Sequence, residues 1–107
     1  MPGPRILRTP EAHQDLLDIW AYIAVENAPA IADTVLARIH GALDVLAFAP
    51  GIGRERSEFP GMPRSFVVRP YVIFYEPLPG GDGILVWRII HGARDLPRLV
   101  RPPDRSQ

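Results

Sequence analysis

Ser65-Phe66-Val67-Val68-Arg69, Tyr71-Val72-Ile73-Phe74-Tyr75-Glu76 and Ile84-Leu85-Val86-Trp87-Arg88-Ile89-Ile90 follow one another closely, and each is rich in β-branched and aromatic residues. Runs of that length and composition read as strands. Pro70 lies between the first two and cannot donate a ladder hydrogen bond, so it marks a chain reversal and makes them hairpin neighbours. Pro79-Gly80-Gly81-Asp82-Gly83 precedes the third and supplies the positive φ angles of a hairpin turn. A phosphate-cradling loop would need a helix behind those glycines, and here a strand follows. The third run closes in His91-Gly92-Ala93-Arg94-Asp95.

Upstream of the strands the hydrophobic period changes. Arg5-Ile6-Leu7-Arg8 is apolar only at its centre and reads as a first edge strand. Thr9-Pro10-Glu11 then starts a helix: threonine as N-cap, proline with a helical φ at the first position, and a carboxylate at the positive end of the dipole. Ala12, Leu16, Ile19, Trp20 and Ile23 recur at three- and four-residue steps and predict one buried face, with His13, Asp15 and Asp18 elsewhere. That helix should end near Asn27. Pro29 opens a second, whose stripe is Ile31, Val35, Ile39, Ala42, Leu43 and Leu46, with a stop at Pro50-Gly51. The short break between them predicts an antiparallel hairpin. Gly51 to Pro63 is rich in glycine, proline and charge and reads as a loop. The expected fold is α+β, a helical hairpin on a small, mainly antiparallel sheet of three to four strands, in the order β-α-α-β-β-β.

At 107 residues the chain makes one domain, spanning 1–107, with 1–4 and the polar, proline-containing 101–107 expected to be flexible. Folding removes roughly two-thirds of its extended surface from water, enough for a core without staples. There is no cysteine, which excludes disulfides and thiolate metal sites. No apolar stretch approaches the roughly 18 residues that span a bilayer, and the start lacks the apolar run of a signal peptide, so a cytoplasmic protein without membrane contact is expected. The net charge is zero, but it is unevenly placed. Arg5, Arg8 and Arg38 face six acids before residue 54, whereas nine arginines face six acids from Arg54 onward. A basic sheet beside acidic helices can attract an anionic partner, or the arginines can form ordinary solvated ion pairs.

Common catalytic patterns are missing. His13, His40 and His91 lack the spacing that sets two imidazoles on one metal, so neither metal nor other cofactor is expected. No serine sits in a glycine-flanked nucleophile elbow. The remaining candidates are His91, Arg94, Asp95 and the arginines around the sheet. His91 directly follows a strand and precedes a glycine, so its ring can serve as general base or hydrogen-bond donor, or can tie the turn to the core. Arg94 and Asp95 can form a local ion pair or face a partner. Strict alternation sets Arg88 with Ile84, Val86 and Ile90, opposite Leu85, Trp87 and Ile89, where a charge needs water or a partner.

Taken together, Ala12, Asp15-Leu16, Ile19-Trp20 with Tyr22-Ile23, Pro50-Gly51-Ile52-Gly53-Arg54, Tyr71-Val72-Ile73-Phe74-Tyr75 and His91-Gly92-Ala93-Arg94-Asp95 resemble, in order and spacing, toxins of the RelE/ParE superfamily. The likeness runs from about residue 5 to residue 99. It implies the toxin of a type II toxin–antitoxin pair of the plasmid-stabilisation type, forming a hetero-oligomer with a ParD-like antitoxin. Within that superfamily the RelE branch cuts messenger RNA on the ribosome, and its sheet strand usually carries an arginine where this chain has Val72. Its end reads His-Arg-Arg-Glu-Val-Tyr, where this chain has Gly92 and Ala93 and then Leu96 and Leu99. Loss of phosphate contacts in a transition state costs several powers of ten in rate.

Resemblance to the ParE branch instead implies a non-enzymatic inhibitor of DNA gyrase, with no catalytic residues. The target-binding candidates are Arg64, Arg69, Arg88, His91 and Arg94, with the tail after Leu99 as an adaptable extension. Trp20, Arg54, Tyr71, Tyr75 and Asp95 are structural or partner-binding candidates. Ribosome-dependent RNA cleavage is the second reading, and a non-toxic binding module built on the same core is the third.

Overall fold

The computed structural model describes residues 3–105 and has the element order β1 (Arg5–Arg8), α1 (Pro10–Glu26), α2 (Pro29–Phe48), β2 (Arg54–Glu55), β3 (Arg64–Val68), β4 (Tyr71–Pro77), β5 (Gly83–His91) and α3 (Leu96–Leu99). The strands form one mixed sheet in the order β1-β5-β4-β3-β2. β1 runs parallel to β5, and the other pairs are antiparallel. The expected α+β arrangement is present, with five strands in place of three to four. The additional strand, β2, lies inside the segment read as a loop: Arg54 pairs with Ser65 and Glu55 with Arg64. Two charged residues carry no alternation for a sequence pattern to detect.

The start of α1 is built as its sequence dictates. Thr9 Oγ1 accepts the Ala12 N–H at 3.0 Å and donates to the Trp87 carbonyl at 2.7 Å, so one hydroxyl caps the helix and fastens it to β5. Ala12, Leu16, Ile19 and Ile23 of α1 pack with Ile39, Leu43 and Leu46 of α2 against Ile73, Tyr75, Ile84, Val86 and Ile89. Two expected faces differ. Trp20 is 38% exposed and donates from Nε1 to Asp33 Oδ1 at 2.8 Å, joining the helices at their rim. In α2, Ala32 replaces Ile31 on the buried face; adjacent helical residues are about 100° apart, which carries Ile31 outward.

The opposite sheet face has its own cover. Phe59 from the β2–β3 connection and Val100 from the C-terminal segment pack on Val72, Phe74, Trp87 and Ile90. Residues 101–105, expected to be flexible, lie along this side: Arg101 donates to the Pro97 carbonyl, and Arg105 pairs with Glu76, whose carboxylate also holds the Trp87 indole N–H. Residues 1, 2, 106 and 107, part of the termini expected to be flexible, lie outside the described residues.

Alternation fails at one point of β5. Phe74 faces Arg88 while the next residue, Tyr75, faces Val86, leaving Trp87 as the extra residue of a β-bulge. Directly paired residues share a sheet face. The bulge therefore sets Arg88 on the face of Phe74 and Trp87, not with Ile84 and Val86 as alternation predicts, and returns Ile89 to the helix side.

Candidate functional site

Arg88 leaves the bulge at the sheet edge that β1 no longer covers, since β1 pairs only with residues 83–86. Its Nε and Nη2 donate to the Asp15 carboxylate at 2.8 and 2.9 Å, and its Nη1 donates to the Leu99 carbonyl at 3.0 Å. Asp15 Oδ2 also accepts the Ile89 N–H at 2.9 Å, acting for the missing strand. The bond from Asp15 holds the Arg88 pKa above its ordinary value, against the opposing effect of burial. Asp15, expected away from the buried face of α1, is buried because this arginine and amide need its oxygens.

Beside that pair lies a cleft of about 470 Å³ between α1 and the end of β5. Ile19, Ile89 and Ile90 give it apolar lining, and Tyr22, Tyr71, His91 and Arg94 bring polar groups to it. His91 Nδ1 accepts the Ala93 N–H at 3.1 Å, so the neutral ring carries its proton on Nε2. The His91 and Tyr71 rings meet edge to face at 5.7 Å. Burial raises the Tyr71 pKa, and the nearby Tyr22 hydroxyl raises it further. The turn itself is tied down by Gly92 donating to the Pro70 carbonyl at 2.8 Å and Arg94 N–H donating to the His91 carbonyl at 3.0 Å. The Arg94 guanidinium has no bonded partner among the described residues, and no Arg94–Asp95 ion pair forms there.

The other candidates are dispersed. Tyr75 is fully buried, its hydroxyl donating to the Pro50 carbonyl at 2.7 Å and accepting the Gly53 N–H at 2.9 Å; burial raises its pKa. Arg64 Nη1 donates to the Gly53 carbonyl at 2.6 Å, so these two side chains fasten the Pro50–Arg54 loop. A Cβ on Gly53 would lie 2.3 Å from the Tyr75 hydroxyl, which is why this position is glycine. Arg54 is exposed at the far edge, and Arg69 sits at the β3–β4 turn with its carbonyl accepting from Arg38. Asp95 stands before α3 without a side-chain cap bond. The structure thus brings together His91, Arg94 and Tyr71, and adds Tyr22 and Asp18 from α1, which reach the cleft only through the packing of α1 on β5.

A closing His-Gly-x-Arg-Asp turn beside an α1 carboxylate, with a helical hairpin over a β1-β5-β4-β3-β2 sheet, is an arrangement that comparison with known proteins can test. Residues 6–96 match the family model described as ParE toxin of type II toxin-antitoxin system, parDE. The chain belongs to the ParE toxin family. Toxin ParE3 of Caulobacter vibrioides is 30% identical over 93 residues, covering 86% of this chain and 90% of that protein. A solved structure described as the chromosomal ParDE TA system from P. aeruginosa superposes with a TM-score of 0.68 at 24% identity, covering 82% of this chain and 95% of that one. At that identity the likeness concerns the fold. Membership in the ParE family makes this a toxin of a type II toxin–antitoxin system.

Proposed function

We propose that this ParE-family toxin arrests growth by poisoning DNA gyrase in the cytoplasm, and that a cognate ParD-like antitoxin neutralises it by forming a hetero-oligomer. The observation that carries the reading is the unbonded Arg94 guanidinium held beside His91 and Tyr71 on a well-anchored surface turn. Such a group is available to bind another macromolecule. Arg88 and Tyr75, by contrast, are engaged internally. Both are therefore better suited to holding the fold. Among the described residues, no helix is long and apolar enough to cross a membrane.

Leu17, Tyr22 and Val25 on α1, and Val45 and Phe48 on α2, are exposed apolar residues of the kind an amphipathic antitoxin segment covers. The test is plasmid supercoiling by purified gyrase, titrated with this protein freed of antitoxin and with Arg94→Ala. Inhibition with accumulated cleaved DNA, weakened about ten-fold or more in the variant, is expected. Absence of inhibition by the folded protein would overturn the gyrase reading and direct attention to ribosome-dependent RNA cleavage.

A further inference from the structure

Most of the polar groups left open in the cleft can donate a hydrogen bond. Of its two carboxylates, Asp15 is taken up by Arg88 and the Ile89 N–H, while the exposed Asp18 accepts from Gln14 Nε2 at 2.8 Å through Oδ1 alone. His91 Nδ1 is occupied by the Ala93 N–H, leaving an Nε2–H donor in the neutral ring. The Tyr22 and Tyr71 hydroxyls and the Arg94 guanidinium make no hydrogen bonds among the described residues. Donors grouped beside the apolar side chains of Ile19, Ile89 and Ile90 suit an oxyanion attached to an apolar body.

The surroundings choose between kinds of oxyanion. α1 carries Glu11, Asp15, Asp18 and Glu26 and no arginine or lysine, and only one guanidinium lines the cleft. A chain of phosphates would meet repulsion at each unit along that helix, whereas one carboxylate seated at Arg94 meets less. We propose that the cleft recognises a single acidic side chain carried next to a large apolar one on a partner polypeptide. Arg94 and His91 take the carboxylate, and Tyr22, Tyr71 and Ile19 take the apolar group. This concerns the ligand chemistry of the cleft and stands whether or not gyrase is the toxin's target.

The experiment uses the acetylated, amidated tripeptide Leu-Glu-Phe, its Leu-Gln-Phe counterpart and a 5′-phosphorylated thymidine dinucleotide as probes. Each is titrated into the full-length protein, with isoleucine methyl and tyrosine ring resonances followed by NMR. Saturable shifts at Ile19, Ile89, Tyr22 and Tyr71 are expected with the glutamate peptide, and about ten-fold weaker binding with the glutamine peptide. Arg94→Gln, an exposed substitution that leaves the spectrum of the fold intact, should remove that preference. Equal binding of both peptides, no saturable shift, a preference surviving in Arg94→Gln, or tighter binding of the dinucleotide would each overturn the proposal.

Discussion

Asp15 serves a guanidinium and a backbone amide at once. With side-chain exposures of 19% for Arg88 and 11% for Asp15, the pair is largely withdrawn from water. Asp15→Ala strands a buried charge and an amide, so a loss of about 3 kcal/mol in urea unfolding is expected. Asp15→Ala combined with Arg88→Met should recover part of it, because no charge then remains to desolvate. A single variant within about 1 kcal/mol of the parent, or a double variant no better than the single, would contradict this account. Tyr71 gives a second prediction at the same scale. Its pKa is raised above 10.0 in the fold, so the contribution is fully present below the unfolded value and is lost as pH rises through the folded one. Stability should fall above pH ~10 more steeply in the parent than in Tyr71→Phe, which removes the titrating hydroxyl without breaking a described hydrogen bond. Parallel pH profiles would show that Tyr71 is not the group concerned.

Among the elements, the β5 hairpin shows how closely turn chemistry and packing are joined. Gly80, Gly81 and Gly83 all have positive φ, yet a Cβ on Gly83 would lie 1.9 Å from the Arg5 carbonyl oxygen, while one on Gly81 meets nothing within 4 Å. Gly81→Ala should therefore cost about 1 kcal/mol, as backbone strain alone, and Gly83→Ala considerably more, because β1 must move off β5. Thermal denaturation of the two variants compares them directly; equal melting temperatures would argue against β1 packing there. These glycines, the Thr9–Pro10 helix start and the Pro70 reversal were legible in the sequence because each acts through local backbone geometry. The face of Arg88 was not, since a bulge depends on the register of the partner strand. β2 and α3 escaped for a related reason: two and four residues hold too little periodicity to stand out. His91 and Arg94 could be picked out by their place after the last strand, but Tyr22 and Asp18 join them only through the packing of α1 on β5.

For the molecule as a whole, two cores on opposite sheet faces make the C-terminal segment part of the fold. Val100 is fully buried in the second core and Trp87 is 2% exposed beneath it. Truncation after Leu99 should lower stability by about 2 kcal/mol, the burial of a valine side chain. In a Trp20→Phe background it should also shift the remaining tryptophan emission to longer wavelength; unchanged emission would mean that the segment does not shield Trp87. The strand order has a consequence for the moment at which the toxin comes into being. β5 is the last strand to be synthesised, yet it lies between β1 and β4, and Thr9 finds its Trp87 partner 78 residues along the chain. On the ribosome the helical hairpin therefore emerges before the platform that covers its apolar face exists. Completion of the sheet waits until His91 has been added, so a chain that stops before β5 lacks the cleft.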